Sequence, residues 1–338
     1  MDLKIEEARS LVESVMMALK HTKREAEIIA DHLIDCELRG VQFGGLPRAL
    51  SIVERIQGRP DRRVPIKVTR ETPVSAFIEG GDQAGYLVAH RATELAIERA
   101  KKNGIGIAGA NDTWYTGMFS HYLEMAARED LVSMAVGNAY PRVAPYGSTE
   151  GRFGTNPIAF GFPSNGDPII WDIGTAGIMA GEVALALRTG TPLREGAAYD
   201  EHGNPTRDAA AAGRGAYTVW GGAKGSGLAM CVQMLGMMCN TLPFPPPLAG
   251  CGFIILCMSP TMFMDLAVFK KNVSDYAQAV RSARPVDPAK PVRMPFDRSA
   301  ETRRKTLARG TIEVPEGVYE KLVAVAKGGK EAAASGRR

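Results

Sequence analysis

Four short stretches of this 338-residue chain combine charged or polar side chains with glycines, which is the composition of a ligand-binding site. Glycine lets a ligand approach the backbone closely, and the free N–H groups at the start of a helix attract anions. Together these features indicate a small anionic ligand. The stretches are RGVQFGGLPR (39–48), DTWYTG (112–117), WDIGTAGIMAGE (171–182) and WGGAKGSG (220–227).

Arg48 and Asp172 are the first two candidate site residues. Arg48 follows the Gly44–Gly45 pair, and its guanidinium can bind a carboxylate through two parallel hydrogen bonds. A Gly-Gly turn beside a surface arginine is the alternative interpretation. Asp172 ends an apolar strand where a helix is predicted to begin. A carboxylate at that position can bind a ligand, orient a catalytic base or simply cap the helix.

Tyr115 and Lys224 are the other two candidates. DTWYTG is predicted to start a helix that Asp112 or Thr113 caps, which makes Tyr115 a possible proton donor at a helix start. The alternative is a cap with aromatic residues packed below it. Lys224 lies between glycine pairs where a further helix begins. That arrangement suits a phosphate or a nucleotide, although its spacing matches neither a Walker A motif nor a Rossmann turn.

A fifth pattern, G-x-G-x-x-G at Gly104, Gly106 and Gly109, has the spacing of a dinucleotide-binding fingerprint. The fingerprint requires a strand before the glycines and a helix that opens on them. Here the preceding segment, YLVAHRATELAIERAKKNG, is predicted to be a helix that ends at Gly104, and IGIAGA is predicted to be a strand. We therefore reject a Rossmann site at these glycines.

Composition and motif spacing exclude several classes of partner. The net charge of +4 is spread without a basic block, so nucleic acid is not expected. No apolar run is long enough to cross a membrane, and the N-terminal segment lacks the features of a signal peptide. The histidines lack metal-ligand spacing, so no metal site is expected. The five cysteines lie in apolar surroundings without a C-x-x-C pair, which predicts buried, reduced thiols and a cytoplasmic protein.

The elements that must position these residues alternate between helix and strand, which predicts an α/β (α+β) fold with a helical N-terminal layer. Two helices are predicted over residues 4–38, with Thr22 and Glu25 forming a capping box for the second. A helix is also predicted over residues 175–187, and the tail KGGKEAAASGRR is predicted to be disordered. Strands are predicted at VSAFIEG, IGIAGA, LVSMAVGNA, IAFGFP, PIIWDIG and GFIILCMS.

Taken in order, the motifs of the chain resemble those of the type 2 malate/L-lactate dehydrogenase family, over roughly residues 5–325. That family also includes ureidoglycolate, sulfolactate and piperideine or pyrroline carboxylate oxidoreductases. The segments that carry the resemblance are ELRGVQFGGLPRAL, VAPYGSTEGRFGTNPIAF, WDIGTAGIMAGE, DEHGNPTRD and WGGAKGSGLAM. GTNPIAF and the glycine-lysine segment are the most specific of them.

The resemblance implies a non-Rossmann dehydrogenase fold that binds NADH or NADPH, usually as a homodimer. It implies a mixed-sheet NAD(P)-binding domain over residues 73–284 and a helical domain over residues 1–72, which the segment 285–338 joins. It places the substrate against Arg48, Gly44 and Thr155. The cofactor contacts that it implies are Asn138, Ala139, Asp172, Ile173, Gly174, Thr175, Lys224, Asp297 and Arg298.

The sequence departs from the family pattern at two positions where the family usually carries histidine. One is Gly44 and the other is Tyr115, whereas Arg48, Asp172 and Lys224 are retained. The retained residues favour a ligand function, and the two departures leave the source of the catalytic proton open.

Three hypotheses follow from this pattern. The first is an NAD(P)-dependent oxidoreductase that transfers hydride between nicotinamide and C2 of a small 2-oxo/2-hydroxy acid, with Arg48 binding the carboxylate, Tyr115 transferring the proton and Asp172 orienting the site. The second keeps the enzyme but reduces a cyclic imino acid, which needs no further proton at the hydride step. The third is a nucleotide-binding homologue without catalysis.

Overall fold

The computed structural model describes residues 1–328. The tail that is predicted to be disordered lies outside the described residues from position 329 on. The chain forms two compact units. The helical unit comprises Met1–Arg63 and the described chain from Ser299 on, and the sheet unit comprises Val64–Arg298. Each unit has buried apolar side chains of its own, such as Ile29 in the first and Phe253 in the second.

Helices and strands alternate along most of the chain. In chain order, the elements are β1 (Asp2–Lys4), α1 (Ile5–Ala18), α2 (Lys23–Leu38), a 3₁₀ turn (Gln42–Gly44), α3 (Leu46–Gln57), β2 (Lys67–Glu71), β3 (Ser75–Ala84), α4 (Gly85–Asn103), β4 (Ile105–Trp114), α5 (Phe119–Arg128), β5 (Val132–Gly137), β6 (Ile158–Phe162), β7 (Ile169–Ile173), α6 (Ala180–Thr189), β8 (Ala198–Tyr199), β9 (Pro205–Thr206), α7 (Ala209–Arg214), β10 (Ala216–Tyr217), α8 (Gly222–Met237), β11 (Cys251–Met258), a 3₁₀ turn (Pro260–Met262), α9 (Leu266–Arg281), α10 (Asp297–Arg309), β12 (Thr311–Glu313) and α11 (Glu316–Ala326).

The helical unit is built on α1, α2, α3 and α11. Helix α1 packs against α2 and α11, and α11 also contacts α3. Strand β1 pairs with β12 in an antiparallel ribbon. The predicted capping box is confirmed, because Thr22 Oγ1 accepts the N–H of Glu25 and the Glu25 carboxylate accepts the N–H of Thr22 at 2.8 Å. This reciprocal cap fixes the start of α2.

The sheet unit is built on a seven-stranded mixed sheet of order β2-β3-β4-β11-β5-β6-β7. Strands β3 and β4 are parallel and the other neighbours are antiparallel. Helices α4 and α5 pack on one face, where Ala108, Ala135 and Phe253 are buried. Helix α8 packs on the other face, over Val136 and Ile158. The predicted α/β architecture and the positions of the predicted strands of this sheet are confirmed.

The rejection of a Rossmann turn at residues 104–109 is also confirmed. Gly104 ends α4 in the left-handed conformation, with φ of 82°, and β4 follows directly. A side chain at Gly106 would overlap the carbonyl oxygen of Ala96 in α4. This glycine is therefore needed for close packing of strand against helix.

Several predicted boundaries differ from the structure. The prediction that Asp112 or Thr113 caps a helix is wrong, because both lie in β4 and α5 begins only at Phe119. Helix α6 begins at Ala180, since the backbone N–H of Thr175 donates to the carbonyl of Thr155 and Ala176 forms a β-bridge with Val219. The sheet unit includes residues 64–72 because β2 pairs with β3, and it includes residues 285–298. The prediction of five buried thiols holds for four cysteines, whereas Cys231 is exposed.

Candidate active site

One end of the large sheet collects most of the predicted site residues of the sheet unit. Thr113 pairs with Cys251, Gly137 with Phe253, and Ile158 with both Val136 and Ile173. Strands β4, β5 and β7 therefore end where β6 and β11 begin. Because they flank these strand ends, the following predicted residues gather at this end of the sheet: Tyr115, Asn138, Ala139, Thr155, Asp172, Ile173, Gly174 and Thr175.

Asp172 connects the edge strand β7 to the first turn of α5. Its Oδ2 accepts the backbone N–H of Ser120, the second residue of α5, at 2.7 Å. The N-cap residue of α5, Met118, supplies no side-chain cap. Asp172 therefore caps a helix from a distant strand, and not the helix that follows it in sequence. Burial raises the pKa of Asp172 to about 6, an effect that the hydrogen bonds from Ser120 and Phe119 only partly offset.

Tyr115 lies on a firmly held segment between β4 and α5. The indole of the buried Trp114 donates to the carbonyl of Asp82 at 2.9 Å, and the hydroxyl of Tyr122 donates to the carbonyl of Thr116 at 2.7 Å. Tyr115 itself adopts φ of 52°, which is unusual for a residue with a side chain. Such backbone outliers persist where the surroundings fix them, and they concentrate at functional sites.

Hydrogen bonds of Asn138, and a bond between Thr175 and Thr155, connect neighbouring strand ends. The Asn138 amide donates to Thr241 Oγ1 at 2.8 Å, and its oxygen accepts the N–H of Gly252 at 2.6 Å. Thr175 donates its backbone N–H to the carbonyl of Thr155 at 2.9 Å. The side chain of Asn138 thus braces β5 against β11, and the backbone N–H of the adjacent Ala139 donates to Asn156 Oδ1 at 3.3 Å.

Lys224 lies in the first turn of α8, and its side chain is exposed. Gly221 and Gly222, which start this helix, both have positive φ, and Gly221 supplies no side-chain cap. The backbone N–H of Trp220 donates to the carbonyl of Thr175 at 2.8 Å, so the start of α8 is attached to the segment that follows Asp172. An uncapped helix start with a lysine in its first turn fits a phosphate group.

Asp297 and Arg298 begin α10, away from the sheet-end residues in the chain. The Asp297 carboxylate binds Arg281 of α9 through two bonds of 2.8 and 2.7 Å. This pairing holds the pKa of Asp297 below its usual range. The Asp297 side chain therefore has a structural partner in α9.

Arg48 and Gly44 belong to the helical unit. Arg48 is the third residue of α3 and is partly exposed. Gly44 ends the 3₁₀ turn before it, and a Cβ atom at this position would lie 3.1 Å from Cys36 Sγ. A side chain at position 44 therefore requires the thiol of Cys36 to move.

The sequence reasoning missed polar residues that organise these segments. Glu37 and Ser120 bond the starts of α3 and α5. Asn156 is fully buried with φ of 36°, and its amide donates to Ala229 O and to Gln233 Oε1, both at 2.9 Å. Glu37 and Asn156 stand inside the motifs ELRG and GTNP, but no local spacing distinguishes a buried polar residue from an exposed one.

Metal clusters and membrane spans are both absent from the described part of the chain. Residues 1–328 contain no group of three potential metal ligands among His, Cys, Asp and Glu. Within the same range, no helix is both long and apolar enough to cross a membrane.

Comparison with known proteins assigns the family. A family model described as malate/L-lactate dehydrogenase matches residues 3–323. The chain belongs to this family. A malate/(S)-sulfolactate dehydrogenase of Methanothermus fervidus is 32% identical over 331 residues, covering 95% of this chain and 96% of the relative. A (2R)-3-sulfolactate dehydrogenase (NADP(+)) of Chromohalobacter salexigens is 31% identical, covering 96% and 98%.

A solved structure gives the same assignment from the fold. The sulfolactate dehydrogenase from Methanocaldococcus jannaschii superposes with a TM-score of 0.85 at 28% identity and covers 97% of both chains. The resemblance in the motifs and the non-Rossmann mixed sheet are therefore confirmed. As a member of the malate/L-lactate dehydrogenase family, the protein is an oxidoreductase.

Replacing Asp172 by Asn should change how stability depends on pH. Asn keeps an oxygen for the Ser120 N–H but cannot ionise. The folded wild type retains the Asp172 proton up to a pKa of about 6, whereas an unperturbed aspartate loses it near 3.8. The wild type should therefore lose stability relative to Asp172→Asn as the pH rises from 3.8 to about 6, and the difference should then stay constant. Denaturant unfolding across this range measures it, and a pH-independent difference would contradict the burial of this carboxyl.

Proposed function

We propose that the protein is an NAD(P)-dependent dehydrogenase that transfers hydride between nicotinamide C4 and C2 of a small 2-oxo/2-hydroxy acid of the malate or lactate type. The proposal rests mainly on Asp172, a family residue whose partly buried, protonatable carboxyl binds the first turn of the helix that follows Tyr115. Membership of the malate/L-lactate dehydrogenase family supplies the reaction class.

Arg48 is the proposed ligand for the substrate carboxylate. A guanidinium offers two parallel N–H donors that match a carboxylate, and its charge compensates the anion. The position of Arg48 in the first turn of α3 adds the positive end of a helix dipole near the same group. We further propose that Gly44 and Thr155 contact the substrate. Gly44 has no side chain and leaves room for a short molecule, and Thr155 has a hydroxyl that can hydrogen-bond to it.

Tyr115 is the proposed proton donor. Reduction of a ketone produces an alkoxide, which must receive a proton in or near the transition state. Tyr115 carries a phenolic hydroxyl on a constrained backbone, next to the helix that Asp172 caps. Asp172 orients this segment through its bonds to the first turn of α5, so its role is to position the donor.

The nicotinamide cofactor is proposed to bind at the end of the sheet and the start of α8. The residues fit the group, because Gly221 and Gly222 leave helix N–H groups without a side-chain cap and Lys224 adds a positive charge. Asn138, Ala139, Asp172, Ile173, Gly174 and Thr175 would line this region, with Asp297 and Arg298 as further contacts. When bound, the cofactor supplies the hydride, and the chain supplies orientation, charge and the proton.

A homodimer is the proposed assembly, and the cytoplasm is the proposed location. Residues 225–264 contain no charged side chain, whereas 23% of the chain is charged, which predicts about nine in a segment of this length. Eight large apolar side chains of this segment are exposed: Met230, Met234, Met238, Leu242, Phe244, Met262, Phe263 and Met264. Methionine and aromatic residues without charges are typical of the centre of an interface. Free cysteines throughout the described chain are typical of a reducing compartment.

A cyclic imino acid is the alternative substrate. The absence of histidine at Gly44 and Tyr115 favours it, because a protonated imine accepts hydride at carbon without a further proton at that step. A substrate panel separates the two. The family's 2-oxo acids and its cyclic imines are mixed with NADH or NADPH, and loss of nicotinamide absorbance is followed.

The panel should give oxidation of at least one reduced cofactor by a 2-oxo acid, and Arg48→Ala should weaken it. Loss of the fork should cost about 2–4 kcal/mol, or about 30- to 1,000-fold in kcat/KM, because the carboxylate is left poorly paired. The cofactor affinity measured by calorimetry should change less than about twofold. Arg48→Lys should have a kcat/KM between those of the wild type and Arg48→Ala. Equal loss of cofactor affinity would make Arg48 structural, and absence of turnover with every substrate would reject the proposed reaction.

Tyr115→Phe should lower kcat for a 2-oxo acid by about 100-fold while cofactor affinity is kept, because only the proton donor is removed. The same variant should reduce a cyclic imine at nearly the wild-type rate. Tyr276→Phe, on an exposed tyrosine of α9, is the matched control. A Tyr115→Phe enzyme with unchanged 2-oxo acid reduction would show that another group donates the proton.

The proposed dimer predicts a specific effect of charge on α8. Met234 and Met238 stand one turn apart on the exposed side of the helix end, so Met234→Glu with Met238→Glu places like charges within the interface of two identical faces. Sedimentation equilibrium at micromolar concentration should give a wild-type dimer and a variant monomer. Lys271→Glu, on α9, controls for net charge. A monomeric wild type would contradict the proposal.

A further inference from the structure

Glu37 is a buried carboxyl that the proposed reaction does not use. It lies in the last turn of α2 and is only 6% exposed. Its Oε1 accepts the backbone N–H of Leu46, the first residue of α3, at 2.6 Å. A side chain at Gly45 would overlap this carboxyl group. Glu37 therefore occupies the place that an N-cap side chain of α3 would normally fill.

The first turn of α3 shows why this bond matters. Pro47 has no N–H, and the N–H groups of Arg48 and Ala49 both donate to the carbonyl of Gly45, at 2.9 and 3.2 Å. Leu46 carries the remaining donor, and Glu37 accepts it. The bond from Glu37 thus completes the hydrogen bonding of the turn that carries Arg48.

Charged and titratable groups of α2, α3 and α10 lie in the same region as Glu37. On α2, the Asp35 carboxylate binds Arg39 at 2.9 Å and faces Arg303 of α10 at 3.3 Å. Burial holds the pKa of the Cys36 thiol well above its usual range, so this thiol stays neutral. Arg48 on α3 acts electrostatically on Cys36. Burial likewise raises the pKa of Glu37 to about 8, and the Leu46 N–H offsets this only in part.

We infer that Glu37 is a positioning residue for Arg48: its uncharged carboxyl fixes the start of α3 without supplying an anion that competes for the guanidinium. A charged carboxylate at the same place would be attracted to Arg48 and would repel the carboxylate of a substrate. The inference rests on the proposed role of Arg48 in substrate binding. If Glu37 has this role, its ionisation weakens substrate binding at alkaline pH.

Two variants distinguish the effect of the hydrogen bond between Leu46 and Glu37 from the effect of a charge on Glu37. Glu37→Gln keeps the oxygen acceptor and stays neutral at every pH, whereas Glu37→Ala removes the acceptor. Glu54→Gln, which removes an exposed acid from α3, is the control. The KM for the best 2-oxo acid of the panel is measured from about pH 6.5 to 9.5 with saturating cofactor, a range that brackets the ionisation of Glu37.

The wild-type KM should rise at least about threefold between about pH 7 and 9.5, and Glu54→Gln should follow the same curve. Glu37→Gln should match the wild type within about twofold at neutral pH but keep a flat profile. Glu37→Ala should raise KM about tenfold at all pH values with a smaller effect on kcat. Parallel profiles for the wild type and Glu37→Gln would overturn the inference.

A readout without substrate keeps the inference testable if the proposed reaction fails. Amide hydrogen exchange at Leu46 should be faster in Glu37→Ala by about tenfold or more and unchanged in Glu37→Gln, because only the first loses the acceptor. The wild type should also lose stability relative to Glu37→Gln as the pH rises from 4.5 to about 8, since the folded state retains a proton that the unfolded chain releases. Unchanged exchange in Glu37→Ala would overturn the positioning role. If Arg48→Ala leaves KM unchanged while these results hold, the role of Arg48 fails and the role of Glu37 at the start of α3 stands.

Discussion

The hydrogen bond from Ser120 to Asp172 is the interaction on which the arrangement at the end of the sheet depends. It joins the edge strand β7 to α5, two elements separated by 52 positions in the chain. Helix α5 packs under β5, β6 and β7, and the loop that carries Tyr115 leads directly into it. One partly buried carboxyl therefore sets the distance between the last strand of the sheet and the segment that follows β4. This arrangement desolvates the carboxyl of Asp172, which disfavours its charged form and raises its pKa.

Helices α3, α5 and α8 begin without a side-chain cap of their own, and the three cases differ in what replaces it. Helix α3 starts after Gly45 and receives Glu37, and α5 starts after Met118 and receives Asp172. Helix α8 starts after Gly221, with Lys224 in its first turn. Carboxyl groups from other elements thus occupy the first two helix starts, and a cation stands at the third. This division is consistent with anion binding at α8 and with internal bracing at α3 and α5.

The fold was largely predictable because periodicity and glycine placement are local signals. The strand at residues 105–110, the helix end at Gly104 and the capping box at Thr22 all follow from neighbouring residues. The start of α5 was not predictable, since Asp112 and Thr113 look like caps but remain in β4 through pairing with β11 and contact with β3. The motifs indicated Asp172, Arg48 and Lys224. They could not indicate Glu37 or Ser120, whose importance comes from partners that only the folded chain brings near.

The contact between Gly44 and Cys36 constrains the order in which this sequence can change. A Cβ atom at position 44 would stand 3.1 Å from the Cys36 sulfur, so a side chain there requires the sulfur to shift by a few tenths of an ångström. A smaller residue at position 36 removes the obstacle but has no effect on the chemistry of the loop by itself. Replacement of Gly44 by histidine is therefore coupled to position 36, because the new side chain displaces the Cys36 thiol and a smaller residue at position 36 removes that contact.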